Sequence, residues 1–257
     1  MNRVLQGDCL EVMKDIPDKS IDMVLTSPPY DNLRDYKGYT FDFEGIAKEL
    51  YRVLKDGGVC VWVVGDATIK GSETGTSFKQ ALYFKEIGFN LHDTMIWNKG
   101  GFSAVGALVN RYAPVFEYMF ILSKGYPKTF NPIKDRKNIH GGEKASGTIR
   151  QSDGSMKPMS KVMIINEFGQ RFNIWEQSPQ RQKGGHPAPF PEKLAEDHIL
   201  SWSNEGDTIL DPMAGSGTTL KMAKKNNRNY IGIEISQEYI EIINKRLSTQ
   251  PLQDGVM

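Results

Sequence analysis

Cysteine is scarce in this sequence. With only Cys9 and Cys60 among 257 residues, no disulfide framework can be built, and the chain fits a reducing compartment. Long apolar runs are missing as well. No stretch is long enough to span a bilayer, and Met1-Asn2-Arg3-Val4 leads into no segment of signal-peptide length, so an intracellular, cytoplasmic protein without a membrane partner is expected. Nor is one sign of charge in excess: 32 Lys and Arg against 31 Asp and Glu leave a formal net charge of +1, so any surface for a polyanion has to be a local patch. There is no internal repeat, no low-complexity tract, and no cluster from which a metal site is expected. What is left is a chain long enough for one α/β domain with insertions and a substantial core.

Expected strands and helices alternate along it. Val4-Leu5-Gln6 reads as a short strand, and Gly7-Asp8 turns it into a helix that Pro17 ends. Ile21 to Thr26 is a second strand, stopped by Ser27-Pro28-Pro29-Tyr30 because two prolines donate nothing to a sheet ladder. The carbonyls at that strand end are then free to face a ligand. From Asp42 to Leu54, Phe43, Ile46, Ala47, Leu50 and Leu54 share a helical face, with Gly57-Gly58 as the stop. Val59 to Val64 is a near-continuous apolar strand of the kind covered on both faces in parallel sheets. A helix over 77–87, a strand over 92–97 and a strand over 115–122, expected near a sheet edge, follow. Later come a helix over 192–202, a strand at Thr208, a strand over 229–234, and a helix over 237–247 that turns Tyr239, Ile240, Ile243 and Leu247 inward. This alternation predicts an α/β fold with an open, mainly parallel twisted sheet and helices on both faces.

One stretch, Leu210-Asp211-Pro212-Met213-Ala214-Gly215-Ser216-Gly217-Thr218-Thr219, stands between an expected strand and an expected helix. A strand, a small-residue turn and a helix start make a cradle, since unpaired N–H groups at the helix start favour an anionic or carboxylate group and glycines let it approach. A tight connection with no ligand is the competing reading of this stretch alone. A dinucleotide fingerprint would place a third glycine where Leu220 stands, and a phosphate-binding P-loop would place lysine where Thr218 stands. The remaining pattern has one acid, Asp211, at its head and a second, Glu234, ending the next strand, where ribose hydroxyls are held in such folds.

The character changes after Ser123. From Lys124 to Lys161 nine basic residues face three acids, glycine and serine are frequent, and apolar periodicity is absent. Residues 124–180 therefore read as a loop-rich insertion. Lys124, Lys128, Lys134, Arg136, Lys137 and Arg150 are candidates for neutralising nucleic-acid phosphates, with an ordinary solvated surface as the plainer reading.

Together these pieces resemble the β class of DNA amino-methyltransferases, which use S-adenosylmethionine. The likeness rests on Gly7-Asp8, Thr26-Ser27-Pro28-Pro29-Tyr30, Leu33-Arg34-Asp35-Tyr36, His186-Pro187 and Asp211 to Thr219, and on their order. The Ser-Pro-Pro-Tyr tetrad precedes the cofactor loop with the basic segment between them, a circular permutation of the common arrangement. Protein-glutamine methyltransferases share a Pro-Pro-Tyr tetrad but place the cofactor loop first. The resemblance implies a Rossmann-like methyltransferase fold, S-adenosylmethionine as cofactor and duplex DNA as substrate. It implies that Ser27, Pro28, Pro29 and Tyr30 are catalytic, that Asp8 contacts the cofactor's adenine amino group and that Glu234 holds its ribose. Asp211, Ala214, Gly215, Gly217, Thr218 and Thr219 would surround the methionine end. His186 would close the pocket, with a structural loop histidine as the alternative. Residues 1–123 would then carry the catalytic half, 124–180 the candidate target-recognition region, 181–247 the cofactor half, and 248–257 a frayed tail.

Chemistry accounts for the tetrad. An exocyclic amine is a poor nucleophile because its lone pair is delocalised into the base. A side-chain oxygen of Ser27 and the carbonyl of Pro28 can accept the two amino hydrogens and steer the lone pair at a methyl group. Tyr30 offers a face on which an extruded base can stack, worth ~1–3 kcal/mol, against an extrusion cost on the order of a few kcal/mol. In the family, serine at the first tetrad position is commoner for N4 of cytosine, which Ser27 therefore favours over N6 of adenine, the alternative. A C5 mechanism is disfavoured because neither Cys9 nor Cys60 sits in a Pro-Cys context. A non-catalytic DNA-binding or specificity subunit, and a small-molecule or RNA methyltransferase, stay open as other readings. So do a cognate restriction endonuclease as partner and the choice between monomer and homodimer.

Overall fold

The computed structural model describes residues 2–29, 41–101, 111–159, 162–179 and 191–248. They fall into two compact units, Met1–Asn131 with Asn173–Met257, and Pro132–Phe172. In chain order the elements are β1 (Arg3–Gln6), α1 (Cys9–Met13), β2 (Ile21–Thr26), α2 (Phe43–Val53), β3 (Leu54–Val64), the small hairpin β4 (Thr68–Ile69) and β5 (Ser72–Glu73), α3 (Thr76–Glu86), β6 (Asn90–Asn98) and β7 (Phe116–Ser123). The second unit holds β8 (Arg136–Lys137), β9 (Lys144–Ala145), β10 (Thr148–Arg150), β11 (Met156–Pro158), β12 (Met163–Ile164) and β13 (Phe168–Gly169). The first unit resumes with β14 (Ile174–Glu176), α4 (Glu192–Trp202), β15 (Thr208–Asp211), α5 (Thr218–Lys225), β16 (Asn229–Glu234) and α6 (Gln237–Ser248).

The first unit is built on one sheet of order β1-β16-β15-β2-β3-β7-β6-β14. β1, β16, β15, β2 and β3 run parallel in that order, β14 runs parallel to β6, and β7 is antiparallel to both its neighbours. The open, mainly parallel sheet expected from the sequence is thus present. β7, however, is an interior strand and not an edge: its run from Met119 to Leu122 is buried between β3 and β6.

Two helical layers cover the sheet, α1 to α3 packing in succession on one side and α4 to α6 on the other. β3 shows why its sequence is apolar throughout. Cys60, Trp62 and Val64 pack with Ile46, Leu50, Val53 and Phe84 of α2 and α3, and the intervening Val59, Val61 and Val63 are equally buried on the opposite face. Asp42 starts α2 by accepting the Gly45 N–H (3.0 Å), and Ile46, Ala47, Leu50 and Val53 form its buried stripe. The expected glycine stop is not what ends this helix. It gives way to strand at Leu54, and Gly57-Gly58 lie inside β3, where the pairing jumps from Ile21↔Leu54 to Met23↔Val59. The φ of +81° at Gly57 accommodates that irregularity.

The second unit adds order to the expected insertion. β8 pairs with β13, β9 with β12 and β10 with β11, all antiparallel and nested, so the described residues of Pro132–Phe172 carry a two-stranded ribbon of short ladders separated by loop. Its turn at 151–155 is closed by the Gln151 N–H on Ser155 O (2.7 Å) and by Asp153 Oδ1 accepting from the Ser155 N–H (2.9 Å) and hydroxyl (2.7 Å). At its base Arg171 pairs with Asp135, and the Arg171 N–H bonds Ile133 O (2.9 Å). Ile139, Ile149, Met156, Met163, Ile164 and Phe168 are exposed. With no buried face the ribbon leaves no alternation for a sequence reading to detect.

Its limits are also narrower than 124–180. Asn131 donates to Leu200 O (3.1 Å) and Ser203 O (3.2 Å) in the first unit, and β14 joins the large sheet beside β6.

Candidate active site

β15 and β2 are neighbours, with Ile209↔Met23 and Leu210↔Val24 in register. Parallel pairing brings their carboxyl ends side by side, and each strand end carries one of the two motifs. Thr26 Oγ1 donates to Asp211 Oδ1 (2.8 Å), and Thr219 Oγ1 donates to Leu25 O (3.3 Å). The Ser27-Pro28-Pro29 corner and the glycine turn are therefore joined directly, although the bonded pair Thr26 and Asp211 lie 185 positions apart in the chain.

Asp211 is fully enclosed. Its Oδ1 also accepts the Met213 N–H (3.2 Å). Burial pushes its carboxyl up to about 6, against the lowering effect of hydrogen bonds from Thr26, Thr219 and the Met213 N–H. Glu234, ending β16, reaches back to the turn: Oε2 accepts the Gly215 N–H (2.8 Å) and Oε1 the Ser236 N–H (2.9 Å). Its carboxyl is likewise raised by burial. One strand further, the Gly7 N–H bonds Glu234 O (3.0 Å), and Asp8 Oδ1 accepts the Leu10 N–H (2.8 Å) at the start of α1. Four adjacent strand ends thus carry Asp8, Glu234, Asp211 and Ser27.

The turn itself needs its glycines. Gly217 has φ +80°, and a Cβ there would come 2.9 Å from Ile243 Cγ1 of α6. The glycine absent at Leu220 is supplied from the other side of the contact: Gly232 of β16 leaves the space into which Leu220 packs, and a Cβ on it would stand 2.3 Å from Leu220 Cδ1. α5 therefore packs closely on the strand without the dinucleotide fingerprint. Ala214 is buried, and its N–H bonds Ile233 O (2.9 Å). The Thr218 hydroxyl lies 3.3 Å from Arg246 Nη1. Since both threonine hydroxyls are turned to protein partners, what α5 presents to a ligand is its first N–H groups, which have no acceptor within the helix.

Tyr30, the Leu33 to Tyr36 stretch and His186 lie outside the described residues. Of the expected phosphate contacts, Lys124 has a different task. It is buried, donates Nζ to Tyr51 O (2.6 Å) and Leu54 O (3.0 Å), and sits 4.5 Å above the Tyr51 ring, so its ammonium serves the first unit's interior. Lys128 is exposed but also belongs to the first unit. Lys134, Lys137 and Arg150 are exposed on the ribbon, whereas Arg136 bonds Gln170 O (3.0 Å) and covers the Phe172 ring.

Thr26 is legible in sequence only as part of the tetrad motif, and its bond to Asp211 is not. Two residues of the site carry no signal in sequence: Arg246 of α6, which donates to Ser216 O (2.7 Å) and Ser216 Oγ (2.9 Å), and Glu192, which opens α4 and accepts from Arg246 Nη2 (2.8 Å) and Lys221 Nζ (2.7 Å). Among the described residues no group of three His, Cys, Asp or Glu is placed to hold a metal ion, and no helix is long and apolar enough to cross a membrane.

A family model described as DNA methylase, for N6 and N4 methyltransferases, matches residues 21–245. The chain belongs to the N6/N4 DNA methylase family. Among its relatives, the orphan methyltransferase M.BamHII of Bacillus amyloliquefaciens is 59% identical over 243 residues, 91% of each chain. The same Rossmann-like fold is found in the cytosine-N4-specific PvuII DNA methyltransferase, with TM-score 0.70, 22% identity, and 98% of this methylase and 88% of that chain covered. It is found also in the Thermus thermophilus protein TTHA0409, solved in complex with S-adenosyl-L-methionine, with TM-score 0.64, 24% identity, and 96% and 95% covered. The donor set of this methylase fits that cofactor: two acids at adjacent strand ends, a glycine turn with left-handed backbone and a helix start are what a nucleoside bearing an amino-acid tail requires.

Proposed function

We propose that this methylase transfers a methyl group to the exocyclic N4 amine of cytosine in duplex DNA, with the base turned out of the helix. As a family member it is an S-adenosylmethionine-dependent DNA amino-methyltransferase. The observation that carries the reading is the Thr26–Asp211 hydrogen bond, which locks the Ser-Pro-Pro corner to the cofactor turn.

S-adenosylmethionine, when bound, supplies an electrophilic sulfonium methyl group. Asp8 and Glu234 would hold its adenosine half, and the turn from Asp211 through Gly215 and Gly217 to the start of α5 would hold its methionine end; His186 is assigned to the same ligand. Ser27 and the Pro28 carbonyl accept the amino hydrogens of the base and so localise the nitrogen lone pair. Pro28 and Pro29 keep that carbonyl rigid and bring no competing N–H. Tyr30 stacks on the extruded base, recovering ~1–3 kcal/mol of the unstacking cost.

Contact with duplex DNA is assigned to the ribbon through Lys134, Lys137 and Arg150. A two-stranded ribbon suits the width of a major groove, and Pro132–Phe172 carries eight Lys and Arg against four Asp and Glu. Serine at position 27 supports cytosine over adenine.

Nucleosides from DNA treated with the protein and labelled S-adenosylmethionine test the reading by mass. N4-methylcytosine, lost in Ser27→Ala, is expected. N6-methyladenine would overturn the choice of base, and no modified nucleoside from a protein that still binds the cofactor would overturn the reading.

A further inference from the structure

Arg246 stands behind the cofactor turn. It follows Ile243 by three residues in α6, so the two side chains leave one helical face. Ile243 packs on Gly217, while the Arg246 guanidinium donates through Nη1 to Ser216 O (2.7 Å), Ser216 Oγ (2.9 Å) and Thr218 Oγ1 (3.3 Å). Three successive turn residues are thus held from the rear by one helix. Guanidinium suits the task, being planar with several fixed donors.

Its position is electrostatically unusual. α5 begins at Thr218, and the start of a helix carries partial positive charge that disfavours a nearby cation. Glu192 compensates, accepting from Arg246 Nη2 (2.8 Å) and from Lys221 Nζ (2.7 Å). Burial raises the Glu192 carboxyl, yet its bonds to Lys221 and Arg246 bring it below the ordinary carboxylate value. Two cations sharing one carboxylate leave this cluster net positive behind the turn, offsetting the acids Glu234 and Asp211 on its other side and so favouring a carboxylate lodged there.

We propose that Arg246 is a positioning residue for the methyl donor: it fixes Ser216-Gly217-Thr218 in their binding shape and raises the potential felt by the donor's carboxylate, without touching the donor. The inference rests on the cofactor site described above and is independent of the base methylated.

Titration calorimetry of the full chain with S-adenosylmethionine and with 5′-methylthioadenosine, which keeps the adenosine half and lacks the carboxylate, separates this role from general damage. Arg246→Met is expected to weaken S-adenosylmethionine about tenfold or more while changing 5′-methylthioadenosine less than about threefold. Lys221 still pairs with Glu192 in that variant, so this half-buried acid keeps a partner. Arg246→Lys, which keeps the charge and loses the fork, should recover part of the affinity. In turnover, KM for the donor should rise more than kcat falls. Unchanged donor affinity in Arg246→Met, or equal losses for both ligands, overturns the proposal. Should circular dichroism show Arg246→Met unfolded, Arg246→Lys decides alone, a donor-selective loss supporting the role and an unchanged or unselective affinity overturning it. Wild-type protein that binds the donor yet modifies no DNA would sink the proposed function and leave this inference standing.

Discussion

Burial of Asp211 ties the stability of the cofactor-free methylase to pH. Its carboxyl, at about 6 in the fold, lies above the ordinary 3.8, so the folded state holds the proton more tightly than the unfolded chain. The stabilisation it gives is complete below about pH 4 and is lost as pH rises through 6. A difference of about two units corresponds to ~3 kcal/mol, as an order of magnitude. Asp211→Asn keeps an acceptor for Thr26 and the Met213 N–H. We expect it to unfold at higher urea concentration than wild type at pH 8 and at the same concentration at pH 4; an equal shift at both pH values would contradict the assignment. Gly217 gives a second test. Gly217→Ala should cost about 1–3 kcal/mol because of its left-handed φ and its contact with Ile243. In an Ile243→Ala background the two losses should sum to less than their separate values, and strict additivity would show that the contact is not the cause. At this scale the sequence marks what local chemistry marks. The turn glycines and the two strand-end acids are conspicuous, whereas Thr26 is an ordinary strand residue whose partner lies 185 positions away. Arg246 is one of two basic residues in the last turn of its helix. Only closure of the sheet gives either a role.

Elements are legible to the extent that they bury one face. α2 shows its apolar stripe and its aspartate cap, and β3 shows a run too apolar for any exposed strand. β7 is equally apolar, but its antiparallel place between β3 and β6 depends on pairing partners that a linear pattern does not encode. The ribbon failed for the opposite reason, since both of its faces meet solvent and its composition mimics that of a loop. Its tip offers a prediction of its own. Arg150 pairs with Met156 and Ile149 with Lys157, so both cations flank the turn. Replacing Arg150 and Lys157 with alanine should weaken DNA binding and reduce its logarithmic salt dependence by about 1–2, with donor affinity and the unfolding midpoint unchanged. An unaltered salt slope would remove the ribbon tip from the DNA contact.

The proposed assignment gives the two units different tasks, the donor site to the larger and DNA contact to the ribbon. Ile133 and Arg171 are hydrogen-bonded at the base of the ribbon, so a short glycine-serine turn can replace residues 134–170 without stretching the chain. The shortened protein is expected to bind S-adenosylmethionine with wild-type affinity by calorimetry while losing site-selective methylation; lost cofactor binding would mean that the larger unit does not stand alone. Its sheet has another property. Arg3 pairs with Ile231 and Gln6 with Glu234, so the strand bearing Asp8 waits beside an empty flank until β16 has been translated. A partly synthesised polypeptide therefore owns the Ser-Pro-Pro corner long before it owns a donor pocket, and closing so long a loop is expected to be slow. The donor pocket is complete only when β16 and then α6, which backs the turn through Ile243 and Arg246, are in place, so a chain lacking them is expected to transfer no methyl group.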